Sequence, residues 1–260
     1  LLGDAGHMFT DSLALGLSVV ALSLAKRPAS QTRTYGFHRA EVLAALANGT
    51  ILLLICGFIF YGAYRRFVEP PEVKGGLMLV VAAIGFATNL VGILILRSAS
   101  RDNLNVKGAF LHMWGDTLSS VGVVVAGAII LATGWTAVDP IISILIGLLI
   151  LRGAIQLVLE ASDILLEAVP KHLDVAKISG ALTEIEGVRD VHDVHLWTIT
   201  SGMYALSCHL LIEDRMVSES GHIVEKVNQV LSQKFGIGHS TLQLECGECQ
   251  DSPVCRLSES

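Results

Sequence analysis

Apolar residues fill most of the first 160 positions, and a regular alternation of apolar and polar residues appears only after that. Five apolar runs lie at about 1–25, 40–64, 75–96, 108–131 and 138–159. Each has, or approaches, the roughly 20 residues an α-helix needs to cross a ~30 Å hydrocarbon core. Beyond them the period changes. Val175, Ile178, Leu182 and Ile185 recur in the 3, 4, 3 rhythm of a helix face. Residues 188–200 read as a strand, Ser201 and Gly202 as a turn, and Tyr204, Leu206, Cys208, Leu210 and Ile212 as a second strand in a hairpin. Val224, Val227 and Leu231 mark a second helix, and 241–246 a third strand. The pattern predicts a membrane α-helical bundle at 1–162 with five spans, then an α+β domain of order α-β-β-α-β at 163–260, its helices on one side of an open sheet.

Composition supports that division. Of 260 residues 52% are hydrophobic and 16% charged, with mean hydropathy +0.60, whereas about a quarter of a soluble domain is charged. The net charge of -6 and the lack of a basic block leave nucleic-acid binding without electrostatic support. Lys26, Arg27, Arg33 and Arg39 separate the first two spans, and Arg97, Arg101 and Lys107 the third and fourth. The opposite loops hold Arg65, Arg66 and Lys74 beside Glu69 and Glu72, or no basic residue at all. Basic residues gather on the cytoplasmic side, so the 26–39 and 97–107 loops, and the tail domain with them, are expected in the cytosol. Five cysteines, three of them at 246, 249 and 255, do not resemble a disulfide framework; metal or redox use in a reducing compartment fits better.

Polar residues inside the apolar runs carry the chemistry. His112 and Asp116 lie four apart in the stretch Leu-His-Met-Trp-Gly-Asp-Thr-Leu-Ser-Ser beginning at Leu111, and His7 and Asp11 repeat the order in Gly-His-Met-Phe-Thr-Asp-Ser-Leu beginning at Gly6. At 3.6 residues per turn, each pair stacks on one helix face. An aspartate in a span costs about 2.5–3.5 kcal/mol on insertion scales, so it is functional by default. Packing glue between helices has no reason to repeat order, spacing and flanks. Two imidazoles with two carboxylates form a set suited to tetrahedral Zn2+, while all-oxygen sets favour magnesium, calcium or manganese. The carboxylates neutralise the ion, and protons must replace it when it leaves. Exchange of metal for protons is the expected chemistry.

At this point the chain resembles the cation diffusion facilitator family of zinc transporters. The resemblance rests on the two His-x-x-x-Asp pairs, on Tyr-Gly-Phe-His-Arg-Ala-Glu-Val-Leu-Ala from Tyr35, on Val-Asp-Pro-Ile-Ile-Ser from Val138 and on His-Asp-Val-His-Leu-Trp from His192. It implies six spans per protomer, so a span upstream of Leu1 is expected, and the transport bundle would need it. It also implies a homodimer, a metal site between the second and fifth helices (His7 and Asp11 with His112 and Asp116), proton-coupled zinc export from the cytosol, and a cytoplasmic metallochaperone-like domain. In that domain the resemblance places metal at His192, His209, His239 and Glu245, with Cys246 and Cys249 paired to it. A multi-pass protein of the cell (inner) membrane is expected.

The remaining polar residues have plainer roles. Arg39 with Asp163 or Glu167 forms either a clamp at the membrane surface or a set of solvated charges. Asn48 and Asn89 read as helix-to-helix hydrogen bonding, and Asp139 before Pro140 as an N-cap. Two other functions compete with transport: an intramembrane zinc-dependent hydrolase, and a membrane zinc sensor. Catalytic zinc keeps an open position with three protein ligands, which four ligands would close.

Overall fold

The computed structural model describes residues 16–69, 75–101 and 103–246. The chain divides into two compact units, Leu1–Ser162 and Asp163–Ser260.

In the first unit the described helices are α1 (Gly16–Ala25), α2 (Arg39–Val68), α3 (Gly75–Leu96), α4 (Leu104–Thr133) and α5 (Val138–Leu165). Among the described residues, Arg39–Val68, Leu104–Ile130 and Val138–Leu165 are long and apolar enough to cross a membrane, and Gly16–Ala25 and Phe86–Leu96 are shorter apolar helices. The 30 residues of α2 span roughly 45 Å at 1.5 Å each. Its ends therefore overrun the hydrocarbon, which is why Arg39 and Arg65–Arg66 can lie within it. Asn103 starts α4 by accepting the Val106 amide, and Gly134 ends it at φ 71°.

Lipid is as apolar as leucine, so helices in it associate through close packing and interhelical hydrogen bonds. Leu52 and Cys56 of α2 pack on Ile150 and Ala154 of α5, with Leu111 and Phe60 against them. Glycines set the approach. A Cβ on Gly115 or Gly122 of α4 would stand 3.0 Å from Ile150 or 2.6 Å from Ile146, and one on Gly147 of α5 would stand 2.6 Å from the Phe60 ring. Ion pairs tie the helix ends. Lys107 of α4 pairs with Glu160 of α5, and Arg66 of α2 meets Asp139 of α5 at 3.1 Å while donating to Ser143 Oγ at 3.0 Å. Asp139 is thus not an N-cap. The helix opens one residue earlier, at Val138, and the carboxylate is engaged by α2 instead.

The second unit holds α6 (Val175–Thr183), β1 (Val188–Thr200), β2 (Met203–Ile212), α7 (Val217–Phe235) and β3 (His239–Glu245), the order expected from the pattern. Asp174 caps α6 by accepting the Ala176 and Lys177 amides. The sheet order is β1-β2-β3, with β1 antiparallel and β3 parallel to β2. Ile178 and Leu182 of α6 and Ile223, Val227 and Leu231 of α7 bury one sheet face together with Leu196, Leu206, Cys208, Leu210 and Ile212. Because strand side chains alternate, His209 of β2 and Gln243 and Glu245 of β3 project from the other face. Burial of Cys208 in this core pushes its thiol up to about 12, and its side chain lies in the core on the face opposite His209 and Glu245. Asp163, one of the two acids expected opposite Arg39, lies 3.4 Å from Lys171.

Candidate metal centres

His112 and Asp116 lie one turn apart on α4. Helical spacing brings His112 Nε2 to 3.8 Å from Asp116 Oδ2, with the side chains only 7% and 17% exposed. A buried imidazole and carboxylate on one helix face supply one nitrogen and one oxygen donor, half of a tetrahedral set. His7 and Asp11, the expected other half, lie outside the described residues.

A second polar layer lies two helical turns away. Asn105, seven residues before His112, donates to the Ser18 carbonyl at 2.9 Å, and Asn48 donates to Ser18 Oγ at 2.9 Å. Three helices, α1, α2 and α4, are thereby stitched at one serine, and Asn48 bonds across helices as its position in a span suggested. Seven residues correspond to roughly 10 Å along α4. Among the described residues, the Oδ1 atoms of Asn48 and Asn105 are buried without a hydrogen-bond partner, and a buried acceptor left unsatisfied costs about 1–3 kcal/mol.

In the second unit the sheet register assembles three more ligand-type side chains. His192 is paired with His209 across β1 and β2, and His209 with Gln243 across β2 and β3. Glu245, two residues beyond Gln243 on the same face, is the diagonal neighbour of His209. His192 Nε2 is 3.1 Å from Glu245 Oε2, and His209 Nδ1 is 3.0 Å from Glu245 Oε1. One ligand atom from each of these residues lies within 4.8 Å of the others. Two imidazoles and a carboxylate are three of the four donors that zinc takes.

Of the other expected ligands, His239 opens β3 opposite Ala205. It stands six residues, roughly 20 Å of strand, from Glu245 and so outside this three-residue group within one chain. Cys246 is exposed directly after β3, and Cys249 and Cys255 lie outside the described residues. Asp193 was not expected from the sequence, yet its Oδ2 lies 3.4 Å from His209 Nε2. Strict alternation puts Asp193 on the face opposite His192. The signal against alternation is that Val191 and Val194, three apart, both belong to the core.

The comparisons with known proteins cover both units. The cation efflux transmembrane domain matches residues 1–166, and the cation efflux protein cytoplasmic domain matches residues 170–246. The class is therefore a membrane transporter of metal cations with a cytoplasmic domain, and not an enzyme. More narrowly, the chain belongs to the cation efflux family, the cation diffusion facilitators. Curated relatives include the cadmium, cobalt and zinc/H(+)-K(+) antiporter of Bacillus subtilis (strain 168), 41% identical with 94% of this chain and 79% of that protein covered. The metal cation efflux system protein CzcD of Cupriavidus metallidurans is 39% identical, with 98% and 81% covered. The zinc transporter ZitB of Escherichia coli (strain K12) is 37% identical, with 100% and 82% covered. Their names share the transport of metal cations, and with the cation efflux domain they support efflux of divalent cations.

Proposed function

We propose that this protein exports zinc, and with it cadmium and cobalt, from the cytosol in exchange for protons. The carrying observation is the buried His112–Asp116 pair inside the apolar helix α4. His7 and Asp11 complete the set, giving two imidazoles and two carboxylates for the metal as cargo. Zinc binding displaces protons from these atoms, and protons arriving from the far side release it. The helices rock about this fixed site, opening it first to the cytosol and then to the far side. The names of the relatives, which include zinc, cadmium, cobalt and protons, support this cargo and coupling.

In the cytoplasmic unit, His192, His209 and Glu245 hold zinc, which their convergence supports, and His239, Cys246 and Cys249 are offered as further ligands, Cys249 lying outside the described residues. The match to the cytoplasmic domain of cation efflux proteins supports a homodimer; on this reading the bound zinc tightens it. The bacterial relatives support residence in the cell (inner) membrane.

The test is zinc uptake into vesicles holding the protein with its cytoplasmic unit outward and an acidic interior. Uptake is expected to follow the proton gradient, to stop with a protonophore, and to fall to background in Asp116→Ala. Undiminished uptake in that variant would overturn the membrane site. Competition by cobalt and cadmium in parent and His7→Asp then reads selectivity, and unchanged selectivity would sink the nitrogen-ligand argument for zinc.

A further inference from the structure

The bulge in β1 places one more carboxylate at the cytoplasmic cluster. Between the pairs His192–His209 and His195–Ser207, two residues of β1, Asp193 and Val194, oppose one of β2, Cys208. The chain absorbs the extra residue at Asp193, which adopts φ 48°. Few residues other than glycine tolerate that region, and aspartate is one of them. The conformation turns the Asp193 carboxylate toward the cluster. Its Oδ1 is 3.0 Å from His195 Nε2, and its Oδ2 is 3.4 Å from His209 Nε2.

We propose that Asp193 is a positioning residue for the cytoplasmic metal, holding His209 in the tautomer that presents Nδ1 to it. This rests on His192, His209 and Glu245 being the ligands. His209 has its two ring nitrogens against different carboxylates, Nδ1 3.0 Å from Glu245 and Nε2 3.4 Å from Asp193. A neutral imidazole carries one N–H and one lone pair. The lone pair has to face the ligand group, where Glu245 and His192 converge, so the proton belongs on Nε2, facing Asp193. A carboxylate that accepts from the distal nitrogen of a metal-bound histidine fixes its ring and raises its basicity. His195, about half exposed, takes the role of anchor: it holds Oδ1 so that Oδ2 stays on His209. Asp190 makes no equivalent contact to His192, since its Oδ2 is 3.9 Å from His192 Nδ1 and its side chain is 64% exposed.

The experiment uses the full chain in detergent, in an Asp116→Ala background so that zinc at the membrane site does not contribute. Zinc affinity is measured by chelator competition, and the His209 tautomer by 15N-histidine NMR of the metal-free protein. Asp193→Asn keeps shape and tolerance of positive φ but removes the charge, and Asp193→Gly relieves the backbone while deleting the carboxylate. Both are expected to weaken zinc binding about 10- to 100-fold, the range for lost outer partners of metal ligands, and to replace the single His209 tautomer by a mixture. Asp190→Asn is expected to leave both readouts at the parent level. Parent affinity and a single tautomer in Asp193→Asn and Asp193→Gly, with affinity lost in His209→Ala, overturn the inference and leave the metal site standing. Parent affinity in His209→Ala as well overturns the ligand set and the inference together.

Discussion

The two units hold metal-ligand chemistry in opposite ways. In the membrane unit His112 and Asp116 belong to one turn of one helix whose sequence is mostly apolar. In the cytoplasmic unit His192, His209 and Glu245 come from three strands, and polar residues are common. The first arrangement makes the rare polar residue informative by itself. The second makes position in the sheet informative, because five histidines occur between 192 and 239 and residue type alone does not choose among them. Under the proposed function the difference also divides the labour: the pair inside the spanning helix is assigned to the route of the ion, and the cluster on the sheet to binding metal without conducting it.

The sharpest way to break this comparison is to remove one ligand from each unit. Asp116→Ala is expected to abolish flux in the vesicle assay. His209→Ala should leave measurable flux while weakening cytoplasmic zinc binding more than the roughly 10- to 100-fold expected for a lost outer partner. Equal loss of flux from both would mean that the two centres are one pathway.

Stability comes next. Leu206 is fully buried in the cytoplasmic core, and Leu206→Ala should cost about 2–5 kcal/mol by cavity formation, seen as a lower midpoint for the sheet in thermal unfolding followed by circular dichroism. In the membrane unit overpacking is the informative change. Gly147→Val drives a side chain toward the Phe60 ring, 2.6 Å from the built Cβ, at about 1–3 kcal/mol. Gly127→Ala meets nothing within 4 Å and should be neutral or stabilising by roughly 0.5–1 kcal/mol through helix propensity. Detergent thermal unfolding that ranked these two glycine variants the other way would refute the α2–α5 packing.

A further effect is one of pH. Burial raises the Cys208 thiol from 9.0 to about 12. The folded state therefore keeps the proton more tightly than the unfolded chain. This contribution to stability is complete below about pH 9 and is lost as pH rises from there toward 12. Unfolding midpoints of the cytoplasmic unit should fall over that window, and Cys208→Ala should flatten the fall.

Much of this was legible beforehand. The hairpin, the two helices and the third strand of the cytoplasmic unit followed from alternation and from the 3, 4, 3 rhythm, because one buried face imposes a period on each element. Asn48 was legible as an interhelical donor, since a lone amide in an apolar helix has few other partners. Asp139 was not: its role depends on where α5 begins and on Arg66, which lies 73 residues earlier in the chain. Asp193 was hidden for a related reason, since alternation assigns it to the wrong face and only the bulge corrects that.

The sequence alone determined the pair on α4. A helix fixes the spacing of residues four apart through its own hydrogen bonds, so His112 and Asp116 share a face whatever packs around them. Tertiary structure decided the cytoplasmic cluster. A strand's sequence sets only which residues share a face, and the pairing register selects the neighbours. That register brings His192 and Glu245 within 3.1 Å across 53 residues of chain, leaves His239 at the far end of its strand, and turns Asp193 toward His209.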